Sequence, residues 1–506
     1  MEPDVGQILE RRADLTPNRV GWVDWDTGNR FRYQELNKRA NRAVNYLREE
    51  HGVQKGDRVS MLALNGLHYS DLYFGLGKIG AILAPLNWRL AKPELEYILE
   101  DCEPKVVLYD EESSDFTAEL KNSFTQANWI HLTEYEEALE ESSPGCPEST
   151  EPVKKEDPHA ILYTSGTTGR PKGAIIPHRM ILWNSVNTIT SWGLDRNDVA
   201  PIVTPQFHTG GLNTVLTSMY HLGGKSVVTK GFDPEDTLRL IERESATVVF
   251  MVPVMFRMMS ETELFPKADL SSIRFLITGG APASEEIKET YRTRGLIFKE
   301  GYGLTEVGNN CFSQTAAESF QKKGSVGRPV LHEKAKVVNE QGKRVPPDEI
   351  GELLLSGPHV FSGYWEKPEA TEEAFSNGWF HTGDLARKDE EGYYYIEGRK
   401  KDMIISGGEN IYLAEVERAL KEHSKVADAA LIGVPDEKWG EVGHAIIVTA
   451  EDAQVTEKEL TEFCKDQLAG YKVPKSFEMT DSLPRNSYGK LQREKVRKKF
   501  GKGLDE

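Results

Sequence analysis

Cysteine is scarce in this chain: four residues, Cys102, Cys146, Cys311 and Cys464, in 506. They lie far apart with no Cys-x-x-Cys pair, so neither a zinc motif nor a disulfide framework is indicated. Long apolar runs are also missing, and none approaches the ~20 residues of a membrane span. The start, Met1-Glu2-Pro3-Asp4, is acidic and soon reaches Glu10-Arg11-Arg12. That differs from the basic start and apolar core of a secretory signal. The last residues, Gly503-Leu504-Asp505-Glu506, carry no peroxisomal or lipidation signal. Net positive charge is absent too. A formal charge of −18 would repel a phosphate backbone overall, so nucleic acid is not the expected partner. These absences leave a cytoplasmic soluble enzyme with no integral membrane association as the expectation.

The apolar content of 38% is ample for globular cores, and no long low-complexity tract argues for disorder. At roughly 150 residues per domain the length suggests about three folding units, two of which an α/β enzyme can fuse. Leu36, Ala40, Ala43 and Leu47 recur at the spacing of one helix face. Strand-like runs at 59–64, 247–252 and 274–278 alternate with such helices, which favours α/β layering. Between roughly 330 and 400 the texture turns to short strands and turns, as in 351–357, a β-rich subdomain closing the large domain. Past Arg399 the chain is rich in Lys and Glu. Strands at 429–434 and 444–448 and helices near 413–423 and 457–468 there suggest an α+β domain of about 100 residues. The expected fold class is thus α/β. A large multi-subdomain N-terminal α/β domain spans 1–400, and a small C-terminal α+β domain spans 401–506. Residues 140–156, with several Glu, Ser and Pro, read as a solvated loop.

Three glycine patterns suggest phosphate binding, and two fail on physical grounds. Gly75-Leu76-Gly77-Lys78-Ile79-Gly80 matches the dinucleotide pattern, which needs its glycines between a strand and a helix. The preceding strand ends near Leu64, so these glycines fall inside a helix starting near Tyr69, where small residues permit close packing. Gly224-Lys225-Ser226 lacks the earlier Walker glycine, since position 219 is Met219, and a strand follows it instead of a helix. The third pattern differs. Tyr163-Thr164-Ser165-Gly166-Thr167-Thr168-Gly169-Arg170-Pro171-Lys172-Gly173 sets four Ser/Thr hydroxyls, three glycines and a lysine after the apolar run Ala160-Ile161-Leu162. Glycines let backbone N–H groups face an anion, hydroxyls add donors, and Lys172 adds charge. This loop reads as a phosphate cradle.

The same loop resembles the signature of the adenylate-forming (AMP-binding) superfamily, which includes acyl-CoA synthetases, aryl-CoA ligases, luciferases and peptide-synthetase adenylation domains. Four further segments resemble that family's motifs in order: 301–306 with Tyr302, Thr305 and Glu306, 382–384 with Asp384, 398–410 with Arg399 and Lys401, and 484–490 ending in Lys490. The resemblance implies an ATP-dependent, AMP-forming ligase. It joins a carboxylic acid to AMP and then transfers the acyl group to CoA, with ATP and CoA as co-substrates and Mg²⁺ as cofactor. Two anions must meet in that chemistry, so charge stabilisation and positioning carry it. By resemblance, ATP or AMP contacts Thr164, Ser165, Gly166, Thr167, Thr168, Gly169, Lys172, Tyr302, Gly303 and Thr305. Gly280, Ala281 and Pro282 line the adenine edge, Asp384 and Arg399 take the ribose, and Glu306, aided by Thr164 or Thr305, holds the metal. Lys490 is implied as the catalytic lysine bridging carboxylate, α-phosphate and ribose, in a loop where Asn486 replaces the commoner Thr. Lys401 matches the hinge about which the small, mobile domain turns, and otherwise reads as a charged linker. Ser406, Gly407, Gly408 and Glu409 would then line the CoA channel.

Residues 205–211 resemble the segment bordering the acyl pocket, with Phe207 and His208 at its edge. His208 reads equally as a core histidine. Gly210, Gly211, Gly303 and Gly308 are small, which suits a roomy or elongated acyl cavity. No charged residue stands out to bind an α-amino group, which disfavours an amino acid. The sequence therefore favours a medium- or long-chain fatty acid, with an aryl or arylpropenoic acid second. Loading of a carrier protein instead of CoA, and a luciferase-type oxidoreductase, are the remaining alternatives. The sequence does not fix the oligomeric state, and a homodimer is compatible with it.

Overall fold

The computed structural model describes residues 4–110, 112, 116–148, 151–164, 171–406, 409–436, 439–451, 453–468, 470–486 and 489–501, with the backbone alone for Lys401, Ile405, Glu409, Asn410 and Gly440. The chain is α/β and forms two compact units. The first holds residues 1–334 and 355–380, the second 335–354 and 381–506. This division groups part of the β-rich stretch with the C-terminal residues. It differs from the boundary at 400 expected from the sequence, which follows the family's motif order instead of packing.

The first unit is built on a seven-stranded sheet in the order Gly363–Tyr364, Lys172–Pro177, Pro158–Thr164, Ile82–Pro85, Arg58–Leu62, Val106–Tyr109, Asn128–His131. The last five are parallel, and Lys172–Pro177 runs antiparallel to both its neighbours. Parallel strands are covered on both faces, so they read as unbroken apolar runs. Val106, Val107, Leu108 and Tyr109 are all buried accordingly. The expected phosphate loop is therefore the connection of an antiparallel hairpin. Thr164 faces Lys172 across its ladder.

The helix Tyr33–His51 buries Leu36, Ala40, Ala43 and Leu47, the face read from the sequence. It ends where Gly52 takes a left-handed φ of 62°, a conformation that costs glycine little. The first decoy motif lies within the helix Leu67–Ile79. An added Cβ on Gly75 would stand 2.6 Å from Ala40 O, and one on Gly77 would stand 2.9 Å from Gly6 N. These glycines let three helices approach closely and bind no nucleotide. Gly224 precedes the strand Lys225–Val228, so the second decoy fails as expected.

Three parallel strands, Val248–Met251, Phe275–Thr278 and Phe298–Glu300, form a separate sheet of the same unit. In the second unit, the sheet Glu409–Ile411, Ile404–Ser406, Gly440–Thr449, Val426–Asp436 carries Ser476–Met479 alongside Gly440–Thr449. Successive residues of Val426–Asp436 point to opposite faces. Ala429 and Leu431 join one apolar cluster with Val416 and Leu460, while Ala430 and Ile432 join another with Val496 and Phe500. Among the described residues no helix is long and apolar enough to cross a membrane.

Gly75→Ala should destabilise the first unit, because the new methyl meets backbone that cannot swing away. Overpacking of this kind costs about 1–3 kcal/mol. Urea unfolding followed by tryptophan fluorescence should show a lower midpoint, and an unchanged midpoint would mean the helices do not pack as described.

Candidate active site

The three parallel strands release the chain at their carboxyl ends, where open α/β sheets bind ligands. Phe275–Thr278 leads into Gly279-Gly280-Ala281-Pro282, with Gly280 at φ 81°. Phe298–Glu300 leads into Gly301 and Tyr302, and Gly301 N donates to Thr278 O at 2.8 Å. The two adenine-lining segments expected from the sequence are thus neighbours through adjacent strands. Tyr302 is buried with its ring set edge-on to Phe312, centroids 5.7 Å apart. Gly303 has a backbone reason as well: a Cβ there would lie 2.3 Å from Gly308 O.

Thr305 is buried and Glu306 half-buried at the end of this loop. Phe361 N donates to Glu306 O at 2.8 Å, and the Tyr364 hydroxyl donates to Glu306 Oε1 at 3.1 Å. Lys172 Nζ stands 5.2 Å from the centre of the Tyr364 ring, within reach of a cation–π attraction. One tyrosine thus links the phosphate-loop cation to the carboxylate expected at the metal. Tyr364 was not among the residues singled out from the sequence. Its signal is weak there, since a tyrosine in a Gly-Tyr-Trp run carries no charge. A half-buried carboxylate suits Mg²⁺, which prefers few protein oxygens and retains water. Thr164 Oγ1 lies 3.5 Å from Lys172 O, while Ser165, Gly166, Thr167, Thr168 and Gly169 lie outside the described residues.

The expected acyl segment separates into parts with different jobs. Phe207 is buried with its ring edge-on to Trp88, centroids 6.3 Å apart, and the Arg89 guanidinium lies 4.7 Å from the Trp88 ring. His208 is exposed, so it is no core histidine, and its Nδ1 accepts from Gly210 N at 3.2 Å. Gln206 is fully buried: its Oε1 accepts from Gly66 N at 2.8 Å and its N donates to Asn65 Oδ1 at 2.7 Å. It ties the segment to the end of a neighbouring strand. Gly211 and Gly308 are small for close approach, since a Cβ would stand 2.3 Å from Pro205 O and 2.7 Å from Asn184 Oδ1 respectively. With Gly303, they have a packing reason for lacking a side chain that is independent of any acyl cavity. Gly210 is different. A Cβ there would meet Phe250 Cε1 at 3.6 Å, and one on Gly279 would meet Phe250 Cε2 at 3.4 Å. The tip of the half-buried Phe250 ring therefore sits between two glycines, a feature not read from the sequence.

A polar network fixes this arrangement. Thr209 Oγ1 donates to Asn309 Oδ1 at 3.0 Å, and Asn309 Nδ2 donates to Thr209 O at 2.8 Å. Asn309 N donates to Asn184 Oδ1 at 3.0 Å, and Asn184 Nδ2 to Asn213 O at 2.8 Å. The π-helical turn Gly210–Thr214, a wide turn often found at functional sites, is thereby bonded to the loop that follows Glu306.

In the second unit, the antiparallel strands Trp379–Lys388 and Tyr394–Arg399 place Asp384 opposite Arg399. Arg399 Nε lies 2.7 Å from Asp384 Oδ1. Gly383 lies within the first of these strands at φ 67°, and Thr382 Oγ1 beside it donates to Leu353 O at 2.7 Å and accepts from Asp384 N at 3.0 Å. The two residues expected at the ribose are thus an ion pair presenting an acceptor beside a donor. Lys490 is exposed, and its N donates to Asn486 Oδ1 at 2.9 Å, while Asn486 N donates to Lys490 O at 2.9 Å. Asparagine thus closes this loop. Lys401 lies in the short turn Lys400–Asp402. Ser406 faces Glu409 across a hairpin whose turn, Gly407 and Gly408, lies outside the described residues.

Family models agree with this organisation: "AMP-binding enzyme" matches residues 9–365, and "AMP-binding enzyme C-terminal domain" matches residues 415–490. A feruloyl-CoA synthase of Amycolatopsis sp. is 40% identical over 498 residues, covering 98% of this chain and 99% of the relative. A long-chain-fatty-acid–CoA ligase of Mycobacterium tuberculosis is 34% identical over 501 residues, covering 98% of each. The solved O-succinylbenzoate coenzyme A synthetase from Bacillus subtilis, in complex with ATP and magnesium ion, superposes with a TM-score of 0.86 at 32% identity. It covers 97% of this chain and 99% of that one. The chain belongs to the adenylate-forming superfamily of AMP-binding enzymes and is an ATP-dependent, AMP-forming acid–thiol ligase of the acyl-CoA synthetase kind.

Proposed function

We propose that the acid is an arylpropenoic or related aromatic acid, the second of the two readings drawn from the sequence. The observation that carries this is the 40% identity with a feruloyl-CoA synthase along the whole chain. Phe250 supports it: its ring tip lies between Gly210 and Gly279, beside the segment expected to border the acid, and an aromatic side chain there would offer a flat apolar face to a ring. In this reading a long alkyl chain would have to displace it. The medium- or long-chain fatty acid remains the second reading, favoured by the 34% relative from Mycobacterium tuberculosis.

In this proposal the hydroxyls and backbone of 164–169, with Lys172, hold the ATP phosphates. Asp384 accepts from the ribose hydroxyls and Arg399 donates to the ribose. Glu306, braced by Tyr364, holds Mg²⁺ with Thr164 or Thr305 near it, and the ion supplies neutralisation of phosphate charge when bound. Phe207 and His208 border the acid. Its carboxylate oxygen attacks the α-phosphorus and pyrophosphate leaves, while Lys490 bridges carboxylate and α-phosphate oxygens as their charges meet. The CoA thiol, deprotonated, then attacks the acyl carbonyl beside Ser406–Glu409, and AMP leaves.

The proposed domains are 1–400 and 401–506, turning at Lys401 between the two steps. Contacts spanning residue 401 are light: Arg418 lies 3.6 Å from Glu397, and an added Cβ on Gly398 would lie 3.7 Å from Ala414. Arg418 is largely exposed, so screening leaves that pair worth little.

Two experiments test these assignments. Pyrophosphate release across aromatic, aliphatic and amino acids should give the highest kcat/KM with arylpropenoic acids. Phe250→Ala should lower that value and raise the value for medium-chain acids, each by about tenfold, the scale of ~1.4 kcal/mol. Highest turnover with an alkyl acid in the wild type, unaffected by Phe250→Ala, would overturn the aromatic reading.

The half-reactions should also separate. Lys490→Ala should slow pyrophosphate release by about 10²–10³-fold, the usual worth of one electrostatic group. Supplied with acyl-AMP, it should still make acyl-CoA at near the normal rate. Lys401→Pro, by fixing the hinge φ, should slow thioester formation and spare adenylation. Equal loss of both steps in a folded Lys490→Ala would rule out alternation.

A further inference from the structure

Outside the nucleotide and acid residues, the first unit holds, among the described residues, one cluster of ligating side chains that the ligase chemistry does not use. Cys311, Glu333 and His359 are distant in sequence, yet their ligand atoms all lie within 4.8 Å of one another. All three are buried, with the Glu333 side chain at 0% and the His359 side chain at 2% exposure. His359 Nε2 is 3.3 Å from Glu333 Oε2. Even so, neither nitrogen of His359 and neither oxygen of Glu333 finds a partner in hydrogen-bond geometry. Buried polar groups left in that state are costly. Burial pushes the Glu333 carboxyl up to about 6 and the Cys311 thiol well above its ordinary range.

We propose that Cys311, Glu333 and His359 form a structural site for a divalent transition-metal ion of the zinc type. Two ligands each about 2.0–2.1 Å from one ion at the tetrahedral angle stand about 3.3 Å apart, which is the His359–Glu333 separation. A thiolate and a carboxylate together balance a dication, so a cluster that is costly empty becomes neutral when filled. Binding releases the thiol proton, and the carboxyl proton where it is held. Thiolate and imidazole select zinc over the hard, oxygen-seeking Mg²⁺. The second oxygen of Glu333 or a water completes the tetrahedron.

The placement gives the ion a task. Cys311 N donates to Tyr302 O at 3.0 Å, and Cys311 Sγ lies 3.4 Å from Val307 O. His359 stands two residues before Phe361, which holds the Glu306 backbone, and five before Tyr364, which holds its side chain. The ion staples the loop 302–311 to the segment 357–364, the two pieces of chain that fix Glu306.

Cobalt(II) titration of the full-length chain, stripped of metal, without nucleotide and carrying Cys146→Ser to remove the exposed thiol, tests this. One equivalent should produce intense visible d–d bands of a tetrahedral ion and a near-ultraviolet thiolate-to-cobalt band, both abolished by zinc. Cys311→Ser should lose the thiolate band, and chelator should lower the thermal midpoint of the chain that retains Cys311. Absence of a stoichiometric thiolate band in the chain with Cys311, or its survival in Cys311→Ser, would overturn the proposal and leave a proton-sharing cluster. Where Cys311→Ser does not fold, the spectrum at one equivalent with Cys311 present decides alone.

Discussion

The ring and hydroxyl of Tyr364 join the positive and negative groups on which the rest of this site depends. Lys172 lies over the ring, and the hydroxyl donates to Glu306. An acid that must meet a triphosphate needs cations held close without collapsing onto the nearest carboxylate. An aromatic ring between ammonium and carboxylate achieves that, attracting the cation through its face while its edge group engages the anion. The short strand Gly363–Tyr364 is hydrogen-bonded to Lys172–Pro177, so the sheet itself fixes this spacing.

Around that centre, precision comes from buried polar groups more than from apolar packing. The bonds among Thr209, Asn213, Asn184 and Asn309 lock the turn Gly210–Thr214 to the loop after Glu306. Gln206 does the same between residues 65–66 and 204–206. Such networks specify one arrangement because each unmet partner in a buried site is expensive. In the second unit the pairing of Arg399 with Asp384 orders both side chains, which in the proposed role means before any ribose arrives. A ligand gains affinity when less ordering remains to be done on binding.

The fold was largely legible because its elements carry local signals. The helix face of Leu36, Ala40, Ala43 and Leu47, the buried run Val106–Tyr109 and the alternation along Val426–Asp436 each report their own environment. The GxGxxG decoy could be set aside from context alone, since it followed no strand. The family was legible too, because its motifs set glycines, hydroxyls and charges at fixed offsets. Among the small residues one composition serves two purposes. Gly211, Gly303 and Gly308 permit backbone to touch backbone, whereas Gly210 borders Phe250. Nothing in one glycine's neighbours in sequence separates these cases.

By itself the sequence determined the α/β class, the adenylate-forming family and the ligase chemistry of that family. These are carried by contiguous stretches whose backbone needs are local. Only the tertiary structure decided that Tyr364 donates to Glu306, that the Phe250 ring tip lies between Gly210 and Gly279, and that Gln206 is a staple. It alone brought Cys311 to Glu333 and His359, in a chain whose cysteine spacing gave no sign of a metal. The reason is physical: these contacts join residues far apart along the chain, and their distances are set by how sheets and loops pack, which no local pattern of residue types encodes.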